Sequence, residues 1–272
     1  MLRRRNARLR ALPVNSLIPN ILTVLALCAG MTSIRFALHE RWDMAVFAVL
    51  AAGIFDGLDG RMARLLKGAT KFGAELDSLS DFIAFGVAPA IIIYLWSVNQ
   101  LGGVGWVAAL VFATCCGLRL ARFNTAMETA HEEPAWSKDF FTGVAAPAGA
   151  GFALLPVILS QQFGEIVFRQ PALDAIWLLC VAYLMISKIP TYSFKLLRVK
   201  REYVLLILVL VGFGAAVLVS YPWIALALIG ICYLASIPFS YLRHRSLAGG
   251  EPETSKARRA ASSGTDETSE EE

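Results

Sequence analysis

A chain of 272 residues with 57% hydrophobic and only 17% charged side chains is too apolar for an ordinary soluble domain. The formal net charge of +4 would point to nucleic acid in a soluble protein. Here the cations flank long apolar runs, so the predicted partner is a lipid bilayer and a nucleic-acid role is excluded.

Residues 1–16 hold Arg3, Arg4, Arg5, Arg8 and Arg10 with Leu2, Leu9 and Leu12 between them. Such a segment forms either a short amphipathic helix on an anionic leaflet or a basic tail, and it predicts a cytoplasmic N-terminus. The first membrane helix is predicted over residues 18–38, with Pro19 in its opening turn. Its length, and the lack of a small-residue cleavage pattern after it, make it an anchor that is retained rather than a cleaved leader. Asn20 and Thr23 lie near its inner end, where they line a nucleotide site or hydrogen-bond between helices.

Further helices are predicted over residues 44–66, 72–96, 103–125, 141–163, 172–189, 204–220 and 223–242. This makes an all-α, polytopic bundle of about eight transmembrane helices. Arg61, Arg64, Lys67 and Lys71 mark the second connection as cytoplasmic, and later basic clusters agree, so both termini lie inside. The transmembrane unit covers residues 17–245, and residues 246–272 form a polar, low-complexity tail with a disordered composition. Cys28, Cys115, Cys116, Cys180 and Cys232 sit in apolar runs without C-x-x-C spacing. They read as small buried hydrophobes, with no disulfide framework.

The chemistry concentrates in residues 55–81, FDGLDGRMARLLKGATKFGAELDSLSD. On a helix, Asp56, Asp59, Gly60, Ala63 and Arg64 share one face, and Gly73, Asp77 and Asp81 recur every four residues on the next. Two antiparallel helices bring the four carboxylates together at one end of a helix pair. Unpaired acids in an apolar setting are costly, and a hard divalent cation such as Mg²⁺ or Mn²⁺ satisfies them with oxygen ligands. Gly60 and Gly73 allow either the helices or a phosphate group to approach closely. Arg119 and Arg122, at the inner end of the fourth helix, either grip an anion or snorkel to the headgroups. Lys188 reads as a topological anchor.

The stretch resembles the signature of the CDP-alcohol phosphotransferases, D-x-x-D-G-x-x-A-R-x8-G-x3-D-x3-D, with every fixed position matched. That resemblance implies transfer of a phosphatidyl-type group from a CDP-linked lipid to an alcohol, with release of CMP. It implies that Asp56, Asp59 and Asp77 are chiefly metal and nucleotide ligands. Asp81 is then the general base, beside its place among the metal ligands. Gly60, Ala63, Arg64 and Gly73 match positions that shape the CDP pocket, to which Asn20 and Thr23 are added here. A homodimer in the cell membrane is implied as well.

The flanking segments ELDSLSDFIAFGVAPA, RLARFN and FFTGVAAPAGAG, with the PN-x-x-T start of the first helix, are similar to those of bacterial and archaeal phosphatidylserine synthases. The acceptor implied is L-serine. Arg119 and Arg122 are then candidates for its carboxylate, with Lys188 in reserve. Glycerol 3-phosphate, an inositol phosphate and choline stand as other acceptors within the family. A cation transporter is the alternative outside it, but that reading predicts acids spread across the membrane depth rather than gathered at one end.

Overall fold

Two long helices lay down the frame. α1 (Val14–Leu38) and α2 (Trp42–Leu65) form an antiparallel hairpin closed by a tight turn at residues 39–41. In that turn Glu40 takes a left-handed backbone (φ 57°), and the His39 and Arg41 amides both donate to the Phe36 carbonyl. The computed structural model describes residues 14–68, 70–128, 140–187, 190–192 and 204–249. Most of the basic segment 1–16, Lys188 and all but the first residues of the tail lie outside the described residues.

α2 ends in a Schellman motif. The Gly68 amide bonds the Ala63 carbonyl, the Lys67 amide bonds Arg64, and Lys67 takes the left-handed conformation (φ 49°). Thr70 then caps α3 (Lys71–Asp81), its hydroxyl accepting the Gly73 amide at 3.0 Å. The chain therefore reverses within a few residues and returns the second half of the acid motif beside the first.

α3 runs into a π-helical turn (Phe82–Val87) and α4 (Ala88–Trp96), so that Lys71–Trp96 forms one continuous apolar rod. A short 3-10 segment (Val98–Leu101) leads to α5 (Gly103–Glu128). The interior is built from small residues that let backbones approach, around a few large ones. Ala45, Ala52, Ala84 and Ala88 are fully buried, as are Phe85, Trp96 and Phe112. At Gly30 of α1 a Cβ would lie 2.8 Å from the Ala84 Cα.

The fifth predicted helix is broken. α6 (Ala146–Ala153) and α7 (Leu155–Phe163) are separated at Leu154, and residues 140–142 form β1 (Phe140–Thr142) instead. Pro156 has no N–H for the carbonyl four residues back, which is Phe152, and that oxygen accepts the Trp177 indole at 2.7 Å instead. A short α8 (Glu165–Phe168) precedes α9 (Pro171–Ile186), which stops three residues short of its predicted end. β2 (Pro190–Tyr192) pairs antiparallel with β1. α10 (Val204–Ser220) matches its prediction, while α11 (Pro222–Gly249) runs a further two turns.

The described residues are thus helical apart from one three-residue ladder and the connecting turns. Leu17–Leu38, Lys71–Trp96 and Gly103–Thr125 are long and apolar enough to cross a membrane, and Pro171–Ile186, Leu208–Ser220 and Pro222–Ser236 are shorter apolar helices. The predicted count of eight spans is therefore met by length and hydropathy in three cases among the described residues. The charges of the acid motif dilute α2, and the break at Leu154 divides the fifth. All five cysteines are free, but only Cys116 is buried. Cys28, Cys180 and Cys232 instead lie on outward helix faces, which corrects their expected burial. Outward helix faces also carry Leu25, Val104, Leu110, Leu173 and Phe213, an apolar exterior suited to acyl chains.

Candidate functional site

Four helices bring their polar ends to one place. Asp56 and Asp59 come from the last turns of α2, Asp77 and Asp81 from α3, and Asn20 and Thr23 from the start of α1. α5 supplies Arg119, Arg122 and Asn124. Asn124 pins its helix to the acid-bearing one by donating to the Ser78 hydroxyl at 2.8 Å.

Carboxylate oxygens of Asp56, Asp59 and Asp77 all lie within 4.8 Å of one another. Asp81 stands outside this trio, its carboxyl within hydrogen-bonding reach of Asp56. Asp59 is 4% exposed, and Asp77 Oδ1 is buried without a hydrogen-bond partner. Three close carboxylates, one with an orphaned buried oxygen, form an all-oxygen donor set that fits a hard divalent cation.

A cleft of about 170 Å³ opens beside the acids, lined by Asn20, Thr23, Asp59, Gly60, Ala63, Gly73 and Asp77, among others. Seven residues expected in the site from the sequence thus lie on this lining, while Asp56, Asp81, Arg64, Arg119 and Arg122 lie off it. Pro19, Gly68, Thr70 and Ala74, which the sequence did not single out for the site, complete the wall. Thr70 was discoverable from its place just ahead of a helical run, the ordinary signal of an N-cap.

The two motif glycines do different work. A Cβ at Gly73 would stand 2.8 Å from Asn20 Oδ1, so this glycine lets α3 seat against α1. A Cβ at Gly60 would meet nothing within 4 Å, so its bareness keeps the cleft open rather than the helices close. Arg64 is exposed and stands outside the residues lining the cleft. The Thr23 hydroxyl lies 2.6 Å from Asp59 Oδ2, so this residue both lines the cleft and ties two helices together.

The two arginines are placed differently from each other. Arg119 lies close enough to Asp81 to interact electrostatically, and its Nε is buried without a partner. Arg122 Nη1 donates to the Ile186 carbonyl at 3.0 Å, capping the C-terminus of α9, while its buried Nη2 lacks a partner. Each therefore keeps one buried donor unpaired, and that of Arg119 lies on the side chain that interacts with the fourth acid.

Residues 16–186 match the family model described as CDP-alcohol phosphatidyltransferase, and residues 202–238 match CDP-alcohol phosphatidyltransferase 2. The CDP-diacylglycerol–serine O-phosphatidyltransferase of Mycobacterium leprae is 39% identical over 232 residues, which are 85% of this chain and 77% of that protein. The enzyme of the same name from Helicobacter pylori is 37% identical over 74% of this chain and 82% of its own length. For the Bacillus subtilis protein of that name the identity is 33%, over 65% of this chain and 91% of the relative. Since the family model covers residues 16–186 and the relatives match most of the bundle, the chain belongs to the CDP-alcohol phosphatidyltransferase family.

Proposed function

We propose that this chain is an integral-membrane enzyme that moves the phosphatidyl group of CDP-diacylglycerol to the hydroxyl of L-serine, releasing CMP and forming phosphatidylserine. The observation that carries the reading is the convergence of Asp56, Asp59 and Asp77 oxygens beside an open cleft. The names of the relatives point to serine as the acceptor.

Asp56, Asp59 and Asp77, with Asp81 at their edge, would hold Mg²⁺ or Mn²⁺. When bound, the cation supplies charge neutralisation at the diphosphate. Asn20, Thr23, Gly60, Ala63 and Gly73 shape the cleft for the CDP moiety, and Arg64 contacts it from outside the lining. Arg119 and Arg122 grip the serine carboxylate through their free donors, holding the hydroxyl toward Asp81. Asp81 takes the hydroxyl proton as that oxygen bonds to the lipid-bearing phosphorus, and the bond from that phosphorus to the CMP oxygen breaks. No activated Ser, Cys or His accompanies the acids among the described residues, so attack is direct and the transferred phosphorus inverts.

The catalytic unit spans residues 17–245 of a multi-pass protein of the cell (inner) membrane, with site and termini cytoplasmic, and it works as a homodimer. The test of the acceptor is CMP release from CDP-diacylglycerol with serine, glycerol 3-phosphate, inositol, inositol phosphate and choline supplied singly. Release with serine alone is expected. Release only with another alcohol would keep the chemistry and overturn the substrate, and no release from folded protein would favour cation transport.

A further inference from the structure

Beneath the acid cluster lies a polar chain that crosses three helices. Ser80, 2% exposed on α3 between Asp77 and Asp81, donates its hydroxyl to the Thr23 carbonyl of α1 at 3.1 Å. Thr23, 3% exposed, has its own hydroxyl 2.6 Å from Asp59 Oδ2 on α2 and 3.1 Å from the Pro19 carbonyl of its own helix. A hydroxyl has one hydrogen, and the shorter contact to a carboxylate takes it, since charge-assisted O–H···O⁻ bonds are the stronger and shorter ones. Ser80, Thr23 and Asp59 are all buried, so water cannot replace a lost link cheaply.

We infer that Thr23 and Ser80 are positioning residues that fix the Asp59 carboxylate, and with it the register of the two halves of the acid motif, for cation binding. This rests on the metal reading of the cluster. The Asp59 carboxylate cannot turn without giving up the Thr23 bond, and α1 cannot shift against α3 at Thr23 without breaking the bond from the Ser80 hydroxyl to the Thr23 carbonyl. Buried second contacts of this kind orient metal-ligating carboxylates, and their loss characteristically weakens metal affinity about 10–100-fold. The close approach of Gly30 to Ala84 fixes α1 against the π-helical turn that continues α3, so the Ser80 and Thr23 bonds set orientation at the site end rather than the packing of the bundle.

The test is Mn²⁺ binding to the purified full-length protein, read from the electron paramagnetic resonance signal of the free ion, without substrate. Thr23→Val keeps the shape and removes the hydroxyl, and should weaken binding about 10-fold or more. Thr23→Ser restores the donor and should bind within a few-fold of wild type. Ser80→Ala should weaken binding several-fold, and adding it to Thr23→Val should cost little more, because both changes break one chain. Ser33→Ala removes a buried hydroxyl bonded only within its own helix, to the Gly30 carbonyl, and should leave binding unchanged.

Equal affinity in Thr23→Val and wild type would overturn the inference, as would full additivity of the two losses or failure of Thr23→Ser to rescue. Asp59→Asn separates the two layers of the argument. If wild type and Asp59→Asn both bind no Mn²⁺, the metal reading falls and this inference with it. If Asp59→Asn loses binding and Thr23→Val does not, the inference alone falls.

Discussion

At the scale of the residue, the proposed site divides into groups that react, groups that bind and groups that leave room. Asp81 stands outside the close trio but within reach of Asp56, and the proposal makes it the proton acceptor at the edge of the cation site. Asp81→Asn should abolish turnover while leaving metal-dependent binding of CDP-diacylglycerol largely intact, and full activity in that variant would remove it as the base. Gly60 gives a sharper case, because its two effects have opposite signs. Alanine there should stabilise α2 by about 0.5–1 kcal/mol, since glycine is a poor helix former. Its methyl would project into open space beside the cleft, so KM for CDP-diacylglycerol should rise, by roughly tenfold for each ~1.4 kcal/mol of binding lost. Thermal unfolding and steady-state kinetics on one sample check both signs. The acids and glycines were legible because charge in an apolar run has few meanings. Thr23 and Ser80 were not legible as a pair, since nothing local announces a hydrogen bond between residues 57 positions apart.

At the scale of the element, the helical hairpin carrying the motif follows from the chain. Apolar helix formers, a left-handed Lys67 with Gly68, and the Thr70 cap reverse the direction between Asp59 and Asp77. The π-helical turn after Asp81 had no such signal. It lies where Phe82 packs against Gly117 and where Gly86 meets Cys116, contacts that exist only once α5 is in place. The break at Leu154 was half legible, because Pro147 and Pro156 favour a bend in this stretch, but where the helix divides depends on Trp177 reaching the Phe152 carbonyl. Close helix approach also yields a prediction. Gly30→Ala places a methyl 2.8 Å from backbone at Ala84 and should destabilise the fold by about 1–3 kcal/mol, with activity lost in parallel. Gly53→Ala, whose Cβ would sit 3.8 Å from the Phe85 ring, should be neutral or slightly stabilising in the same melt.

At the scale of the whole molecule, composition foretold a membrane protein, and apolar helices together with family membership agree. The span count was the least legible feature, because helices that cross beside partners can be short, broken or charged and still be covered. The protein should stay with membranes through an alkaline carbonate wash and leave only in detergent. A cysteine placed at the exposed Arg64 should react with an impermeant thiol reagent from the cytoplasmic side alone, against a background free of native cysteines. Labelling from the outer side would invert the proposed orientation.

The most direct test of the account is the paired yield of CMP and phosphatidylserine from purified protein given CDP-diacylglycerol and serine, before and after chelation. The account predicts equal amounts of the two products, both lost with the chelator and both restored by Mg²⁺ or Mn²⁺. CMP without phosphatidylserine, or turnover undiminished in excess chelator, would contradict it.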